Sequence, residues 1–346
     1  MTLAYAPLDF VIPDARYDLS ADCLHAHRLP MHFQTTEFDR LFAGLGDCMQ
    51  LTPGVFEAKG RRVNAPSARI ADLELNCGVQ IHGDVDRGRL HLILVRPAAG
   101  SRVLANAVDC TSKHCLVVSG GDLSVNVLGA AALLWFDIDR RALGETAMAI
   151  MRGTAKAVLE LSASEAALLQ NYATRRFEEP SEAEEPDATI DPVLKELALS
   201  LLARARATVA SRADISREKL IRRVQALMWA SIEEPPTLRD LCVAAKCSVR
   251  TLIYAFNATF GMSPMKYFKI QRLNVAHRKF QNAQPGTHIF DVAADCGFWH
   301  LGHFGVDYKT LFGATPKMTS GHQAPNVAYQ ACERRDERPC AGLWCV

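Results

Sequence analysis

One pattern of residues occurs twice near the C-terminal end of the chain, in residues 237–260 and again in residues 287–312. Each copy predicts a short helix with small residues on its buried side, a tight turn, and a longer helix with apolar residues at helical spacing. The apolar positions of the longer helix recur at an offset of 52: Leu252, Phe256 and Phe260 correspond to Phe304, Tyr308 and Phe312. Two short helices joined by a tight turn are typical of a helix-turn-helix. The chain is therefore expected to contain two such units.

The two copies differ at the turn and share their exit. Ser248 is placed to cap the second helix of the first copy, because a hydroxyl at that position accepts hydrogen bonds from free backbone amides. Gly297 supplies the turn of the second copy, where the first copy has Lys246. Residues 260–264 (FGMSP) and 312–316 (FGATP) end the copies alike. A Gly suits the positive φ after a helix, and a Pro suits the start of the next one.

Residues 264–281 (PMKYFKIQRLNVAHRKFQ) join the two copies and contain no internal Gly or Pro. Their apolar residues fall near helical spacing and predict one connecting helix, which would fix the distance between the units. Its bases form a surface suited to DNA phosphates. The residues expected to contact phosphates are Lys266, Lys269, Arg272, Arg278, Lys279 and Lys309.

The outward side of the first recognition helix carries side chains that can read bases. Arg250 can bind guanine through two hydrogen bonds, and Asn257 can bind adenine in the same way. Tyr254 is expected to reach a phosphate, and Ile253 a thymine methyl group. The alternative is that these four residues form an ordinary solvated helix face.

The outward side of the second recognition helix offers fewer hydrogen bonds. Its residues are His300, Leu301, Gly305 and Val306. Only the histidine is polar, so this face is expected to press against the DNA backbone or a thymine methyl group, and sequence discrimination should come mainly from the first unit. We expect Trp299 to be a hydrophobic anchor and His303 to be packed or partly buried.

Two units joined in this way resemble the DNA-binding domain of the AraC/XylS family of bacterial transcription regulators. The resemblance covers residues 235–322 and rests on Leu-x-x-Leu…Ser-x-x-x-Leu-x-x-x-Phe, the Phe-Gly-x-Ser-Pro exit, Gln-Arg-Leu, and Gly-Phe before the second recognition helix. It implies a C-terminal reader of double-stranded DNA, an N-terminal effector or dimerisation domain, and transcriptional control, mostly activation, with RNA polymerase as a partner. The chain departs from the family at Lys246, where Gly is usual, and at Gly302, where a small hydroxyl residue is usual. Gly302 should loosen its helix by roughly 1 kcal/mol relative to Ala.

Within that family, residues 250–256 (RTLIYAF) and 297–308 (GFWHLGHFGVDY) are similar to the subgroup that contains the ethanolamine-utilisation operon regulator. This similarity implies a response to ethanolamine together with cobalamin. It rests on residues of the reader, which do not contact an effector. The N-terminal half carries no motif that identifies an effector or a cofactor, so the effector-binding residues stay unknown at this point.

The first part of the chain has a different pattern. At 346 residues the chain is long enough for about two domains. Short apolar or alternating runs predict strands in residues 71–75, 78–82, 90–95, 103–108, 115–118 and 123–128. The fold class is therefore α+β, with a β-rich N-terminal domain, a cupin-like barrel or sandwich, followed by an all-α domain with two helix-turn-helix units.

Composition divides the chain further. Residues 140–177 are expected to form two helices that end the β-rich effector or dimerisation domain, residues 1–177. Residues 178–191 hold seven acids, no base and two prolines. They are expected to form an acidic linker, the alternative being an exposed loop within one domain. The remaining regions are a helical connector, the double helix-turn-helix domain and a flexible tail, in residues 192–231, 232–322 and 323–346.

Charge points to DNA only locally. The net charge of the whole chain is +1, which neither indicates nor excludes a nucleic-acid partner. Residues 201–232 hold seven bases and two acids, and residues 233–321 hold ten bases and six acids. Positive charge is thus concentrated where the helix-turn-helix units are predicted.

Other classes of protein are less well supported. The longest apolar stretch, residues 125–136, is too short to span a bilayer, and the N-terminus lacks the features of a signal peptide. We therefore expect a cytoplasmic protein without a membrane partner. Eleven cysteines without a CxxC are typical of reduced thiols. His82 and His91 do not form the His-x-His pair of a metal-binding barrel, and His25 and His27 form it without partner ligands, so no metal site is expected.

The sequence favours a sequence-specific DNA-binding activator that is controlled by a small-molecule effector and forms a homodimer. One alternative keeps the DNA reader and makes the N-terminal half a protein-interaction or dimerisation module without a small ligand. The other is an enzymatic barrel with a helical appendage. We expect no enzyme, because the N-terminal half shows no catalytic cluster.

Overall fold

The computed structural model describes residues 31–33, 47–64, 67–105, 108–145, 155–178, 190–208, 212–284 and 286–321. The strands are β1 (Met31–Phe33), β2 (Asp47–Gln50), β3 (Ala58–Asn64), β4 (Ala68–Leu75), β5 (Val79–Val85), β6 (Arg89–Pro97), β7 (Arg102–Ala105), β8 (Val108–Cys110), β9 (His114–Ser119), β10 (Gly121–Leu128), β11 (Ala131–Asp139) and β12 (Ala155–Glu160). The helices are α1 (Ala163–Glu178), α2 (Pro192–Ala207), α3 (Arg212–Ala230), α4 (Leu238–Ala245), α5 (Val249–Phe260), α6 (Pro264–Gln281), α7 (Ile289–Asp295), α8 (Leu301–Phe312) and α9 (Pro316–Gly321). Most of the predicted linker, the whole predicted tail, His25 and His27 lie outside the described residues.

The strands form two antiparallel sheets packed face to face. One sheet has the order β1-β3-β4-β11-β6-β9-β12, and the other has the order β2-β5-β10-β7-β8. Their facing sides share an apolar core in which Leu73, Ile93, Val125 and Trp135 are at most 2% exposed. Two sheets that bury a common core form a sandwich. This confirms the predicted β-rich domain and selects the sandwich from the two predicted architectures.

The sequence pattern missed β11 and misassigned β12. β11 lies inside its sheet, and residues 133–136 are all buried, so the run shows none of the alternation that marks a half-buried strand. Residues 155–160 fit helical spacing, but they form β12, which pairs with β9 and buries Ala157 and Leu159. The prediction of two helices in residues 140–177 is therefore wrong at residues 155–160.

Two helices cover the outer face of the seven-stranded sheet. Leu169 of α1 and Leu201 of α2 are fully buried in a core that also contains Leu94 and Phe136. α2 thus packs on the sandwich, whereas α3 packs with the helices that follow it. The predicted connector, residues 192–231, is divided between two cores.

Helices α3 to α8 share a further core, in which Phe256, Tyr267, Phe304 and Tyr308 are at most 2% exposed. The bounds of α4, α5, α7 and α8 confirm the two predicted helix-turn-helix units, and α6 confirms the predicted connecting helix. Met49 and Leu51 of the sandwich belong to the same core, so the two halves of the molecule are packed together. Among the described residues, every helix is too short or too polar to cross a bilayer.

Candidate nucleic-acid interface

Hydrogen bonds hold both ends of the short helix in the first helix-turn-helix unit. Thr237 N donates to Asp240 Oδ2 at 2.8 Å and Asp240 N donates to Thr237 Oγ1 at 3.3 Å, which is a capping box. The hydrogen bonds from Thr237 hold the pKa of the Asp240 carboxyl below its ordinary value. Lys246 forms the turn in the left-handed conformation with a φ of 52°. Ser248 Oγ then accepts from Thr251 N at 3.2 Å, which caps the start of α5.

The outward face of α5 contains most of the residues predicted to read bases. Arg250 and Asn257 are exposed, and Tyr254 is 68% exposed. Their spacing of four and three residues places them along one side of the helix. Ile253 is only half-buried, so part of its side chain is also accessible. The structure brings all four side chains to the surface of one recognition helix.

The outward face of α8 is less polar. His300 stands at the N-cap position and makes no side-chain hydrogen bond to the helix. Leu301 is 42% exposed and Val306 is 68% exposed. At Gly302 and Gly305, no atom lies within 4 Å of the position that a Cβ would occupy. The second recognition helix therefore presents an apolar face with two open positions.

Two residues near the start of α8 are more exposed than the sequence predicted. Trp299 is 67% exposed, and the inward position is taken by Phe298, whose ring centroid lies 5.0 Å from that of Phe304. Phe298 is 9% exposed and occupies the core position, so the ring of Trp299 is left at the surface. His303 is also exposed, beside His300 at a ring-centroid distance of 6.3 Å. The predictions that Trp299 is an anchor and His303 is packed are wrong.

Four of the predicted phosphate contacts lie at the surface or close to it. Lys266 and Lys309 are exposed, and neither has an ion-pair partner among the described residues. Lys269 and Lys279 pair at 2.8 Å with carboxylates of α8 and α7. The side chains of these two lysines are still 43% and 36% exposed, so they tie α6 to the second unit without being removed from solvent.

The two arginines of α6 are used inside the protein. Arg272 donates to Gly297 O at 2.9 Å, and its guanidinium lies 4.4 Å from the ring centroid of Phe298. Burial lowers the pKa of this guanidinium. Arg278 donates to Cys48 O of β2 at 2.7 Å. The structure therefore places these arginines in the turn of the second unit and in the contact with the sandwich, rather than on a phosphate-binding surface.

His91, which the sequence raised as a metal-ligand candidate, is part of the interior of the sandwich. Trp135 Nε1 donates to His91 Nδ1 at 3.0 Å, and burial lowers the pKa of His91 to about 4. The ring is therefore neutral near pH 7 and has one nitrogen occupied. Within the described residues, no group of three or more His, Cys, Asp or Glu side chains could hold a metal ion.

A cavity of about 570 Å³ lies where the sandwich meets both helix-turn-helix units. Its volume is in the range of small-molecule sites. The lining residues, which are mostly apolar, are Leu51, Thr52, Pro53, Leu128, Phe260, Gly261, Met262, Met265, Lys266, Lys269, Ile270, Leu273, Asp307, Thr310 and Leu311. Sequence reasoning missed this cavity because its walls come from segments far apart in the chain.

Residues 241–321 match the family model described as "Helix-turn-helix domain". The XylDLEGF operon transcriptional activator 2 of Pseudomonas putida is 29% identical over 128 residues, which are 36% of this chain and 80% of that protein. The HTH-type transcriptional activator RhaR of Escherichia coli K12 is 30% identical over 118 residues, which are 34% of this chain and 41% of that protein. The chain thus spans less than half the length of RhaR.

A solved structure from Chromobacterium violaceum is also similar to this chain. It is described as a transcriptional regulator (AraC-type DNA-binding domain-containing proteins). It is 32% identical, the match covers 32% of this chain and 96% of that chain, and the TM-score is 0.30.

Proposed function

We propose that this chain, a member of the AraC family of helix-turn-helix proteins, is a transcription regulator that binds duplex DNA with both of its units. The observation that carries the proposal is that α5 and α8 pack into one core and present exposed outward faces. An α-helix with exposed side chains fits the major groove, where each base pair has a distinct set of hydrogen-bonding groups.

The first unit supplies most of the sequence discrimination. Arg250 binds the O6 and N7 atoms of a guanine, and Asn257 binds an adenine, because these pairings match donors and acceptors two at a time. Tyr254 donates its hydroxyl to a phosphate. Ile253 touches a thymine methyl group with the exposed part of its side chain.

The second unit binds mainly through shape and apolar contact. Leu301 and Val306 press on thymine methyl groups or sugars, and His300 donates to a base edge or a phosphate. Trp299 adds an exposed ring beside the start of α8, which suits packing against the DNA backbone. Fewer base-edge hydrogen bonds are available here, so the second unit tolerates more operator variation than the first.

The lysines supply the sequence-independent part of the affinity. Lys266 and Lys309 contact phosphates directly, and Lys269 and Lys279 do so while still paired with acids of the second unit. Arg272 is omitted from this set because it is used inside the protein. Arg278 is omitted for the same reason.

Selection of bound duplexes from a random pool by the full chain, followed by affinity measurements, tests the proposal. Arg250→Ala should relax one operator position at a cost of about 1–3 kcal/mol. Lys266→Ala, the matched control, should weaken all sequences alike and lower the slope of log affinity against log salt by about 1. A full chain with no duplex affinity at low salt contradicts the proposal.

Activation is the favoured outcome of DNA binding, since the relatives from P. putida and E. coli are both described as activators. Activation implies a contact with RNA polymerase. A purified system with polymerase and an operator-bearing template should then give more transcript with the full chain than without it. A fall in transcript would indicate a repressor.

A small-molecule effector is the favoured input, and the cavity between the halves is its favoured site. A ligand there touches the sandwich and both units at once. The cavity suits an apolar molecule. It gives ethanolamine little support, because Asp307, the carboxylate in its lining, is already paired with Lys269 at 2.8 Å.

Thermal unfolding of the full chain with ethanolamine, with cobalamin, with both, and with a panel of apolar metabolites separates these inputs. Leu128→Trp, which fills the cavity from the sandwich side, should abolish a shift caused by a ligand in the cavity. A shift with ethanolamine and cobalamin that survives Leu128→Trp favours the ethanolamine subgroup and a different site. No shift with any compound favours the alternative in which the sandwich is a dimerisation or protein-partner module.

A further inference from the structure

One edge of the five-stranded sheet is covered by the helix that connects the two helix-turn-helix units. β2 is the strand at this edge and pairs only with β5 in the described sheet. On its other side, Gln50 N donates to Asn274 Oδ1 and Gln50 O accepts from Asn274 Nδ2, both at 2.9 Å. Cys48 O accepts from Arg278 at 2.7 Å. Side chains of α6 thus take the place of a neighbouring strand and satisfy backbone groups that an open edge would leave exposed.

These side chains belong to one stripe of α6. Tyr267, Asn274 and Arg278 are spaced by seven and four residues, which places them on one side of the helix. Tyr267 Oη donates to Gln80 Oε1 of β5 at 2.6 Å and accepts from Gln225 Nε2 of α3 at 2.7 Å. The side of α6 that faces the sandwich therefore carries polar groups, and each of these three side chains forms a hydrogen bond with a group of the sandwich.

The side chain of Gln50 reaches the second unit. It is 1% exposed, and its Nε2 donates to Leu311 O in the last turn of α8 at 2.7 Å. Carbonyl groups in the last turn of a helix lack partners within the helix. Gly54 N donates to the same carbonyl at 3.0 Å. Gln50 is thus bound to α6 through its backbone and to α8 through its side chain.

The sandwich also touches the C-terminal ends of both recognition helices. A Cβ added to Gly261, which ends α5, would lie 3.1 Å from Leu128 Cδ1. A Cβ added to Gly313, which ends α8, would lie 2.5 Å from Val55 Cγ2. The residues proposed to read bases start at the N-terminal end of each recognition helix, where Arg250 lies near the start of α5. The contacts with the sandwich therefore leave the reading faces exposed.

We propose that Gln50 is a positioning residue that sets the distance and angle between the two recognition helices. It fixes α6 and α8 to the same edge strand, while the sandwich holds the end of α5. When these contacts are intact, the two recognition helices bind two segments of the major groove at one spacing. When the contacts are lost, they bind the two segments at several spacings. The inference rests on the proposed function, namely that both units bind one duplex.

Operators of altered spacing test the inference. An operator selected with the full wild-type chain is changed by adding or removing one or two base pairs between the segments bound by the two units. Each added base pair rotates one segment by roughly 35° relative to the other. The wild-type chain should lose about tenfold or more in affinity per step, the size of effect expected from losing contacts of one unit.

Two variants then address Gln50. Gln50→Ala removes an Nε2 group that donates to Thr52 O and Gly54 O as well as to Leu311 O. It should lower affinity for the original spacing by about tenfold and should flatten the dependence on spacing. Gln50→Met is the milder variant, since it keeps the side-chain volume and both backbone hydrogen bonds to Asn274 and removes only the hydrogen bonds of Nε2. It should flatten the dependence less, and it decides the question if Gln50→Ala does not fold. Glu74→Gln, on the exposed part of β4, is the control and should leave the profile unchanged.

The outcomes separate this inference from the proposed function. A wild-type chain that binds no duplex overturns the function itself. A wild-type chain that binds with no spacing preference, or folded variants that keep the wild-type spacing profile, overturn the positioning role of Gln50 and leave DNA binding intact. A loss of affinity that is equal at every spacing also overturns it, because a general loss of stability would have that effect.

Discussion

The two helix-turn-helix units share a backbone plan and differ in what holds them together. Both helices of the first unit begin with side-chain caps, from Thr237 and Ser248. In the second unit, His288 and His300 stand at the N-cap positions, and neither side chain makes a capping hydrogen bond. The second unit is instead held by contacts from α6 and from the sandwich, including Gln50. The first unit is specified locally, and the second depends on its neighbours.

The outward faces of the two recognition helices also differ between the units. At the offset of 52 residues, Arg250 corresponds to Gly302 and Tyr254 corresponds to Val306. The inward residues of the two units are aromatic or leucine at the same positions, so the repeat preserves the core and not the reading face. In the proposed function, the first unit therefore determines which bases are bound, and the second adds contact area.

The largest expected effect concerns the turn of the second unit. Gly297→Ala places a Cβ 2.8 Å from Ile232 O and 2.9 Å from Glu233 O, at a φ of 71° that disfavours any side chain. The backbone must move, and we expect the free energy of unfolding to fall by about 3 kcal/mol. Urea denaturation measures this loss.

Gly286→Ala is the matched control for Gly297→Ala. Gly286 also has a positive φ, of 94°, but no atom lies within 4 Å of its added Cβ. The free energy of unfolding of the control should fall only by the cost of a side chain at positive φ, about 1–2 kcal/mol. Equal losses in the two variants would show that the contacts with residues 232 and 233 do not constrain the turn.

Acid should destabilise the second unit through His277. Its ring stacks on Phe312 with centroids 4.1 Å apart, and its Nδ1 lies 2.7 Å from Tyr308 Oη. Burial lowers the pKa of His277 to about 4, from about 6.5 in an unfolded chain. The unfolded chain binds the proton more readily, so stability that is present above pH 6.5 is lost as the pH falls toward 4. The loss should be about 2 kcal/mol at pH 5.

Unfolding free energies of the wild type and of His277→Gln at pH 7 and pH 5 measure this effect. The variant should be less stable at pH 7, because it loses the ring stacking, but its loss between the two pH values should be smaller than that of the wild type. His91 has its pKa lowered to about 4 by burial in the sandwich, so some acid dependence should remain. An unchanged acid loss in His277→Gln would assign the whole effect to other groups.

A substitution on α8 can transfer the reading property of the first unit to the second. Gly302→Arg places at the second unit the residue type that the first unit has in the equivalent position, and the space around Gly302 is open. The variant should gain a preference for guanine at one position of the second operator segment, worth about 1–2 kcal/mol. Selection of duplexes from a random pool measures the gain. Gly302→Ala serves as the control, since it should strengthen the helix without adding a base preference.

The first unit and the connecting helix could be predicted from the sequence because their signals are local. Ser248, the apolar spacing of residues 252–260 and the Gly of each exit lie within or next to the helices they define. The β-rich N-terminal domain was predicted in the same way. β11 was missed because a strand buried on both faces loses its alternation, and β12 was misassigned because a six-residue run fits both periods.

The internal roles of the α6 bases could not be predicted. The sequence shows that α6 is basic, but not which of its bases face inward, because apolar and polar residues are buried on several sides of this helix. Arg272 is directed at the turn of the second unit, and Arg278 is directed at β2. Gln50 binds Asn274 across 224 residues of sequence, and no local pattern identifies such a pair.

The smallest expected effect concerns the turn of the first unit. Among the residues that the structure describes, Lys246 is the one non-glycine residue with a positive φ, which is 52°. This conformation costs an L-residue about 1 kcal/mol, which glycine avoids, although glycine loses more chain entropy on folding. Lys246→Gly should therefore raise the free energy of unfolding by about 0.5 kcal/mol. The urea midpoint should rise with an unchanged slope. Lys246→Ala keeps the strain and removes the same charge, so it should give no gain.

Opposite responses of the two turns, a gain at Lys246→Gly and a loss at Gly297→Ala, are expected if local sequence holds the first turn while surrounding backbone holds the second. A loss of stability in Lys246→Gly would instead show that the lysine side chain supports the first turn.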